Sequence, residues 1–150
     1  MNLKHFTEKA QESIVTAQSL ASELTHAEIT PEHLLVALIE QESGVVPSLV
    51  RKMALDPTQV ARDARALLDS LPKAYGGDVR LSPRTNLILE SAQAEAKRLQ
   101  DEYVSTEHLF VAVATETGRS PGAQLLKRLG ITKDSLYQAL TQVRGNQRVT

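Results

Sequence analysis

The chain contains no cysteine and no tryptophan, and only 3% of its residues are aromatic. Without cysteine there is no disulfide, no thiolate nucleophile and no cysteine-ligated zinc. With so few rings the core must be Leu, Val, Ile and Ala, which suits packed helices. Charge of neither sign dominates: 17 basic and 18 acidic residues leave a net charge of -1. Residues 1–75 carry 7 basic and 10 acidic groups (-3), and residues 76–150 carry 10 and 8 (+2). Neither half has the positive surplus that phosphate contacts demand, which argues against a nucleic-acid partner. No apolar run approaches the ~18 residues of a membrane span. No basic block follows an amphipathic segment, so a membrane partner is not expected either. The opening Met1-Asn2-Leu3-Lys4-His5 has no apolar signal region. The expected location is therefore cytoplasmic.

Catalytic equipment is missing as well. The seven glycines never form G-x-x-x-x-G-K-[ST] or G-x-G-x-x-G, so neither familiar nucleotide cradle is present. There is no Gly-x-Ser-x-Gly elbow and no His-Glu-x-x-His. The four histidines (5, 26, 33 and 108) have no i, i+4 spacing. No catalytic residue, metal ligand or cofactor site is expected within this chain.

What the chain does contain is a repeat. Ile29-Thr30-Pro31-Glu32-His33-Leu34-Leu35-Val36-Ala37-Leu38 returns 75 positions later as Val104-Ser105-Thr106-Glu107-His108-Leu109-Phe110-Val111-Ala112-Val113, with five of ten pairs identical. The same offset aligns Phe6-Thr7 with Leu81-Ser82, Ala17-Gln18 with Ala92-Gln93, and Leu24 with Leu99. After a one-residue slip, Leu49-Val50-Arg51-Lys52-Met53 matches Leu125-Leu126-Lys127-Arg128-Leu129. Duplication of half the chain predicts two copies of one helical unit.

Helix starts are strongly marked. Thr30-Pro31, Asp56-Pro57, Ser82-Pro83 and Ser120-Pro121 each place a capping oxygen before a proline, and Thr7, Ser105 and Thr132 are further caps. Together with apolar spacing of 3 and 4, as in Ala10, Ile14, Ala17, Ala21 and Leu24, they predict eight helices. The expected spans are 7–24, 31–42, 47–54, 57–70, 83–99, 106–117, 121–129 and 133–144. Gly130 and Gly145 stand where left-handed C-terminal caps want glycine. No segment alternates long enough to predict a strand. The expected fold is all-α: two tandem four-helix repeats, about 1–71 and 82–145, packed with pseudo-twofold symmetry as a single domain. Residues 72–81 form an irregular joining loop, and 146–150 read as the start of a linker.

Five polar residues stand out as candidates for binding. Glu32 and Glu107 belong to the repeated Glu-His pairs. First-turn placement suits a carboxylate to the positive end of the helix dipole, with the histidine as half-buried filler. The alternative is ligand contact: two symmetry-related surface carboxylates accepting a partner's guanidinium. Thr7 and Ser82 correspond by repeat and read as N-caps that also border a binding surface. Asp101 reads as a solvated loop acid with a possible partner contact. Tyr75, Tyr103 and Tyr137 suit rim packing, and an exposed one would be an interface anchor.

The duplicated Glu-His-Leu segment, with Phe6-Thr7-Glu8-Lys9-Ala10 and Leu81-Ser82-Pro83-Arg84, resembles the N-terminal domain of the Clp ATPases. The resemblance covers essentially the whole chain. Met1-Asn2-Leu3, the Leu71-Pro72…Gly76-Gly77 loop and the Val143-Arg144-Gly145…Val149-Thr150 ending look most like the ClpB branch of disaggregases. The resemblance implies a domain that engages unfolded or aggregated polypeptides, with adaptor proteins as further partners, and passes clients to an ATPase ring. Residues 146–150 would lead into an ATPase domain absent from this chain. The full-length protein would be a homohexamer using ATP and Mg, whereas the isolated domain would be monomeric and no enzyme. In the protease-linked ClpC and ClpA branch, matching acidic residues contact phosphorylated arginine or adaptors, and Glu32 and Glu107 keep that potential. The expected binding residues are Thr7, Glu32, Ser82, Asp101 and Glu107, edging a groove between the two lobes.

Overall fold

A computed structural model describes residues 2–145. Eight helices run α1 (Glu8–Glu23), α2 (Pro31–Glu40), α3 (Val45–Lys52), α4 (Pro57–Leu68), α5 (Pro83–Arg98), α6 (Thr106–Ala114), α7 (Pro121–Arg128) and α8 (Lys133–Arg144). Every expected N-cap holds: Thr7, Thr30, Asp56, Ser82, Ser105, Ser120 and Thr132 each precede a helix. The linker expected at 146–150 lies outside the described residues.

The two central helices are α2 and α6. Residues 31–39 of α2 and 106–113 of α6 are buried on every side. Their sequences, Leu34-Leu35-Val36-Ala37-Leu38-Ile39 and Leu109-Phe110-Val111-Ala112-Val113, are apolar all round, and such helices have no solvent face. The outer helices are amphipathic and pack around this pair. Within each repeat α1 lies on α2 and α5 on α6. Across the repeats, α3 packs on α8 and α4 on α7, with α1 against α6 and α2 against α5. Each cross-repeat contact thus has a symmetric mate. The halves interlock, and their shared face is filled with side chains.

Two very short strands differ from the helix-only expectation. β1 (Glu28–Ile29) pairs in parallel with β2 (Arg80–Leu81), the last residues of the joining loop. The mate of this pairing is a single bridge between Phe6 and Val104. Two residues cannot leave an alternating signal in a sequence. The pairings still matter, because each stitches the entry to one repeat's first helix onto the entry to the other repeat's second helix. Thr7 N donates to Val104 O at 2.9 Å, and Ser82 N donates to Ile29 O at 3.1 Å.

Helix ends supply an internal comparison. After α3 the chain turns through Ala54 at φ 64°, and after α7 through Gly130 at φ 86°. Both turns close alike: Leu55 N donates to Val50 O at 3.1 Å, and Ile131 N to Leu126 O at 2.8 Å. This 6→1 bond defines a glycine-favouring C-cap. A left-handed alanine costs about 1–2 kcal/mol, partly offset by glycine's greater freedom when unfolded. Ala54→Gly should therefore raise stability by about 0.5–1 kcal/mol, a gain of about 1–3 °C in Tm. A lowered Tm in a calorimetric scan would reject this reading of the turn.

Candidate functional site

The five sequence-selected residues fall into two clusters related by the repeat. Glu32 and Ser82 lie in one, and Thr7, Asp101 and Glu107 in the other. Thr7 and Ser82 are N-caps as expected: Thr7 Oγ1 accepts from Ala10 N at 3.1 Å, and Ser82 Oγ accepts from Thr85 N at 3.1 Å. Ser82 is buried and Thr7 half-buried.

The acids are not on the surface. Glu32 and Glu107 are 4% and 5% exposed, and Asp101 is 8% exposed. A buried carboxylate must be paired, and each finds its cation within the chain. Arg84, on the first turn of α5, reaches across to α2 and grips Glu32, with Nη1–Oε1 3.1 Å and Nη2–Oε2 2.9 Å. The same guanidinium donates from Nε and Nη2 to Glu116 at 2.8 and 2.9 Å, and from Nη2 to Ser120 Oγ at 3.2 Å. Gly122 N donates to Glu32 Oε2 at 3.0 Å. Glycine fits there without displacing the carboxylate, whereas a Cβ would lie 2.9 Å from that oxygen and push it aside. One side chain thereby ties α2, α5, the end of α6 and the start of α7.

Asp101, expected as a solvated loop acid, lies between two donors of different kinds. Arg144 Nη2 donates to its Oδ1 at 2.6 Å, and His108 Nε2 to its Oδ2 at 2.7 Å. Arg144 Nε also stands 3.2 Å from Glu107 Oε2, close enough for an ion pair without completing a hydrogen bond. Asp101 and Glu107 are thus brought together through Arg144.

The repeated histidines are fully buried and are not filler. His33 Nδ1 accepts from Thr30 N at 2.9 Å, and His108 Nδ1 accepts from Ser105 N at 2.8 Å. These are capping boxes in which histidine replaces the usual Glu. A backbone amide can only donate, so the Nδ1 atoms are acceptors and the ring protons sit on Nε2. His33 Nε2 then donates to His26 Nδ1 at 2.9 Å. His26 and Asp101 occupy equivalent positions, 75 apart, so one repeat uses a His–His pair where the other uses His–Asp. Burial first, and then the neighbouring His26, push His33 down to about 4, with Glu32 opposing. Burial and Lys73 lower His26.

Sequence reasoning missed Arg84, Arg144, Glu116, Gly122 and His26. The spacing Thr30-x-x-His33 and Ser105-x-x-His108 carried the capping-box signal, and the repeat offset pointed from Asp101 to His26. Nothing local marked Arg84 or Arg144.

Two larger open grooves lie each within one repeat, and a smaller one of about 390 Å³ lies between the repeats, lined by His5 and Phe6 from one and Gln93, Lys97 and Asp101 from the other. One, of about 820 Å³, is enclosed by the end of α2, the loop after it, α3 and α4. The other, of about 510 Å³, runs between α5 and the end of α6. Buried Ile88 and Ala112 form its floor, Leu87 stands 61% exposed on its edge, and Arg84, Glu116 and Arg119 supply polar rims. Of the tyrosines, Tyr75 is 82% exposed in the joining loop, whereas Tyr137 packs beside Arg98. Among the described residues no cluster of His, Asp or Glu could hold a metal, and no helix is long and apolar enough to cross a membrane.

Residues 5–129 match the family model of the Clp repeat N-terminal domain. The chain belongs to this family. The Clp N-domain described here is 40% identical over 155 aligned residues to the chaperone protein ClpB of Bacillus cereus, covering 100% of the chain and 18% of that ClpB. It therefore spans less than a fifth of that relative. The Hsp104 N-terminal domain from Candida albicans shares the fold with a TM-score of 0.84 at 22% identity, covering 97% of this chain and 95% of that one. The ClpV N-domain in complex with a VipB peptide superposes with a TM-score of 0.77 at 19% identity, covering 95% and 91%.

Proposed function

We propose that this Clp N-domain is the client-engaging domain of a ClpB-type ATP-dependent disaggregase. It captures unfolded or aggregated polypeptides and hands them to an ATPase ring. The observation that carries this is the α5–α6 groove, with Leu87 exposed above a buried apolar floor. The likeness to ClpB supports the branch. The ClpV N-domain with its peptide supports the use of this fold for holding a peptide. Thr7, Glu32, Ser82, Asp101 and Glu107 serve by fixing the helix ends that shape the surface. Each contact is weak and brief, as release into a pore requires. Six tethered copies around a hexamer compensate, because tethering raises the local concentration of sites for a multivalent aggregate. In this reading ATP and Mg belong to the ring and the location is cytoplasmic.

Leu87→Ser tests the groove. Losing one buried leucine contact costs about 1.5 kcal/mol, so affinity for a permanently unfolded model protein should fall about tenfold. The side chain is exposed, so Tm should not change. Unaltered binding by anisotropy titration would remove the groove from the site.

One observation favours the protease-linked alternative, a receptor for arginine-bearing or phosphoarginine-marked clients. By repeat, Glu107 stands for Glu32, Gln41 for Glu116, and Lys9 for Arg84. Glu107 Oε2 and Gln41 Oε1 are buried without hydrogen-bond donors. In this half Lys9 stands at the position of Arg84, and Arg144 reaches Glu107 from α8 as an ion pair without a hydrogen bond, which leaves acceptor capacity on Glu107 and Gln41. If this reading holds, free phosphoarginine binds the domain and Glu107→Gln abolishes that binding, whereas Glu32→Gln does not. If the disaggregase reading holds, phosphoarginine gives no saturable signal.

A further inference from the structure

The 820 Å³ groove of the first repeat is chemically unlike the client groove. Residues 1–75 are acidic, yet four of their seven basic residues, Arg51, Lys52, Arg62 and Arg65, stand on α3 and α4. Those two helices carry one acid, Asp63, so they hold +3 while the rest of the half holds 3 basic and 9 acidic groups, or -6. Three of the four basic residues line the groove: Arg51 from α3, and Arg62 and Arg65 from α4. Arg65 is spent in a two-pronged ion pair with Glu40, at 2.5 and 2.8 Å. Arg62 donates only to the neutral amide oxygen of Gln59, at 3.0 Å. Among the described residues, Arg51 has no carboxylate partner. Against these two uncommitted guanidiniums the lining offers one acid beyond Glu40, namely Glu42. Between the charges, Ile39, Pro47 and Ala61 make an apolar floor.

The second repeat keeps only part of this arrangement: α7 and α8 also hold +3, and Lys127-Arg128 match Arg51-Lys52, but the rest of the groove's charge is gone. The positions matching Glu40 and Glu42 are Thr115 and Thr117, and those matching Arg62 and Arg65 with the one-residue slip are Gln138 and Thr141. Glu40, Glu42 and the two α4 arginines are therefore particular to the first repeat, whereas Arg51 has a basic mate in Lys127.

We propose that the α3–α4 groove docks an acidic polypeptide segment. Its carboxylates meet Arg51 and Arg62, and its aliphatic portions lie along Ile39, Pro47 and Ala61. Guanidinium groups pair with carboxylates through two parallel hydrogen bonds. Because both arginines are exposed, the attraction mainly speeds encounter and is screened by salt. The site is separate from the α5–α6 groove, so the two readings fail independently.

The test titrates the intact domain with three labelled probes of equal length: a Glu/Ala peptide, a Lys/Ala peptide and a single-stranded RNA. The Glu/Ala peptide should bind, and raising salt to about 0.5 M should weaken it. The double reversal Arg51→Glu/Arg62→Glu should weaken it at least tenfold, leave Tm unchanged, and create binding for the Lys/Ala peptide. Leu87→Ser should leave the acidic peptide's affinity untouched. Absence of acidic-peptide binding, insensitivity to the double reversal, or RNA binding as tight as the acidic peptide would each overturn the proposal.

Discussion

Glu32→Ala is expected to cost about 3 kcal/mol, and its repeat mate Glu107→Ala about 1 kcal/mol. The asymmetry follows from what each carboxylate holds. Removing the Glu32 side chain strips Arg84 of one of its two acids. It also leaves Gly122 N, a buried donor, without an acceptor. An unsatisfied buried donor costs about 1–3 kcal/mol, and breaking a half-buried ion pair adds to that. Glu107 makes one ion-pair contact with Arg144, and Arg144 keeps Asp101 when Glu107 is gone. For a domain of this length the Glu32 loss lowers Tm by about 6–12 °C. Gly122→Ala attacks the same joint from the other side, because its methyl would stand 2.9 Å from Glu32 Oε2. The two substitutions should be strongly non-additive in a double-mutant cycle. Equal losses at Glu32 and Glu107, or full additivity with Gly122→Ala, would show that the Arg84 joint does not hold the halves together.

This joint also shows where sequence reading succeeds and where it stops. The helices were legible because their signals are local: a capping oxygen before proline, apolar spacing of 3 and 4, and glycine after the last turn. The repeat added a second, independent copy of each signal. Boundaries drifted by two or three residues at several C-termini, as at α2 and α6, where the chain leaves the helix without a glycine. The interlocking of the halves was not legible. The contacts α3–α8 and α4–α7 join segments more than 50 residues apart, and no local pattern specifies them. The same limit applies to the acids. Glu32 and Glu107 are visible in the sequence as a symmetric pair, but their guanidinium partners lie 52 and 37 positions away. Asp101 looked solvated because it sits in a polar loop, and only the fold buries it between His108 and Arg144.

Mild acid should destabilise this domain before its carboxylates begin to titrate. His33 is the source. Its Nδ1 accepts the Thr30 amide and its Nε2 proton goes to His26, so an added proton has nowhere to sit without opposing one donor with another. The folded state accordingly holds His33 down at about 4, below the usual value near 6.5. Between those pH values the unfolded chain binds more protons than the folded one, so stability rises with pH and falls as pH drops. Over the window from pH 6.5 to 5, where unfolded carboxylates are still ionised, His33 alone removes about 2 kcal/mol. That corresponds to a fall of about 4–8 °C in Tm. His26, also lowered, adds in the same direction. A His33→Gln variant should be less stable at neutral pH, since it loses the cap and the His26 bond, yet its Tm should fall much less across this window, keeping only the His26 share. The ring resonances of His33 should stay those of neutral histidine at pH 5. A wild-type Tm that is level from pH 6.5 to 5, or a slope undiminished by His33→Gln, would place the acid sensitivity elsewhere.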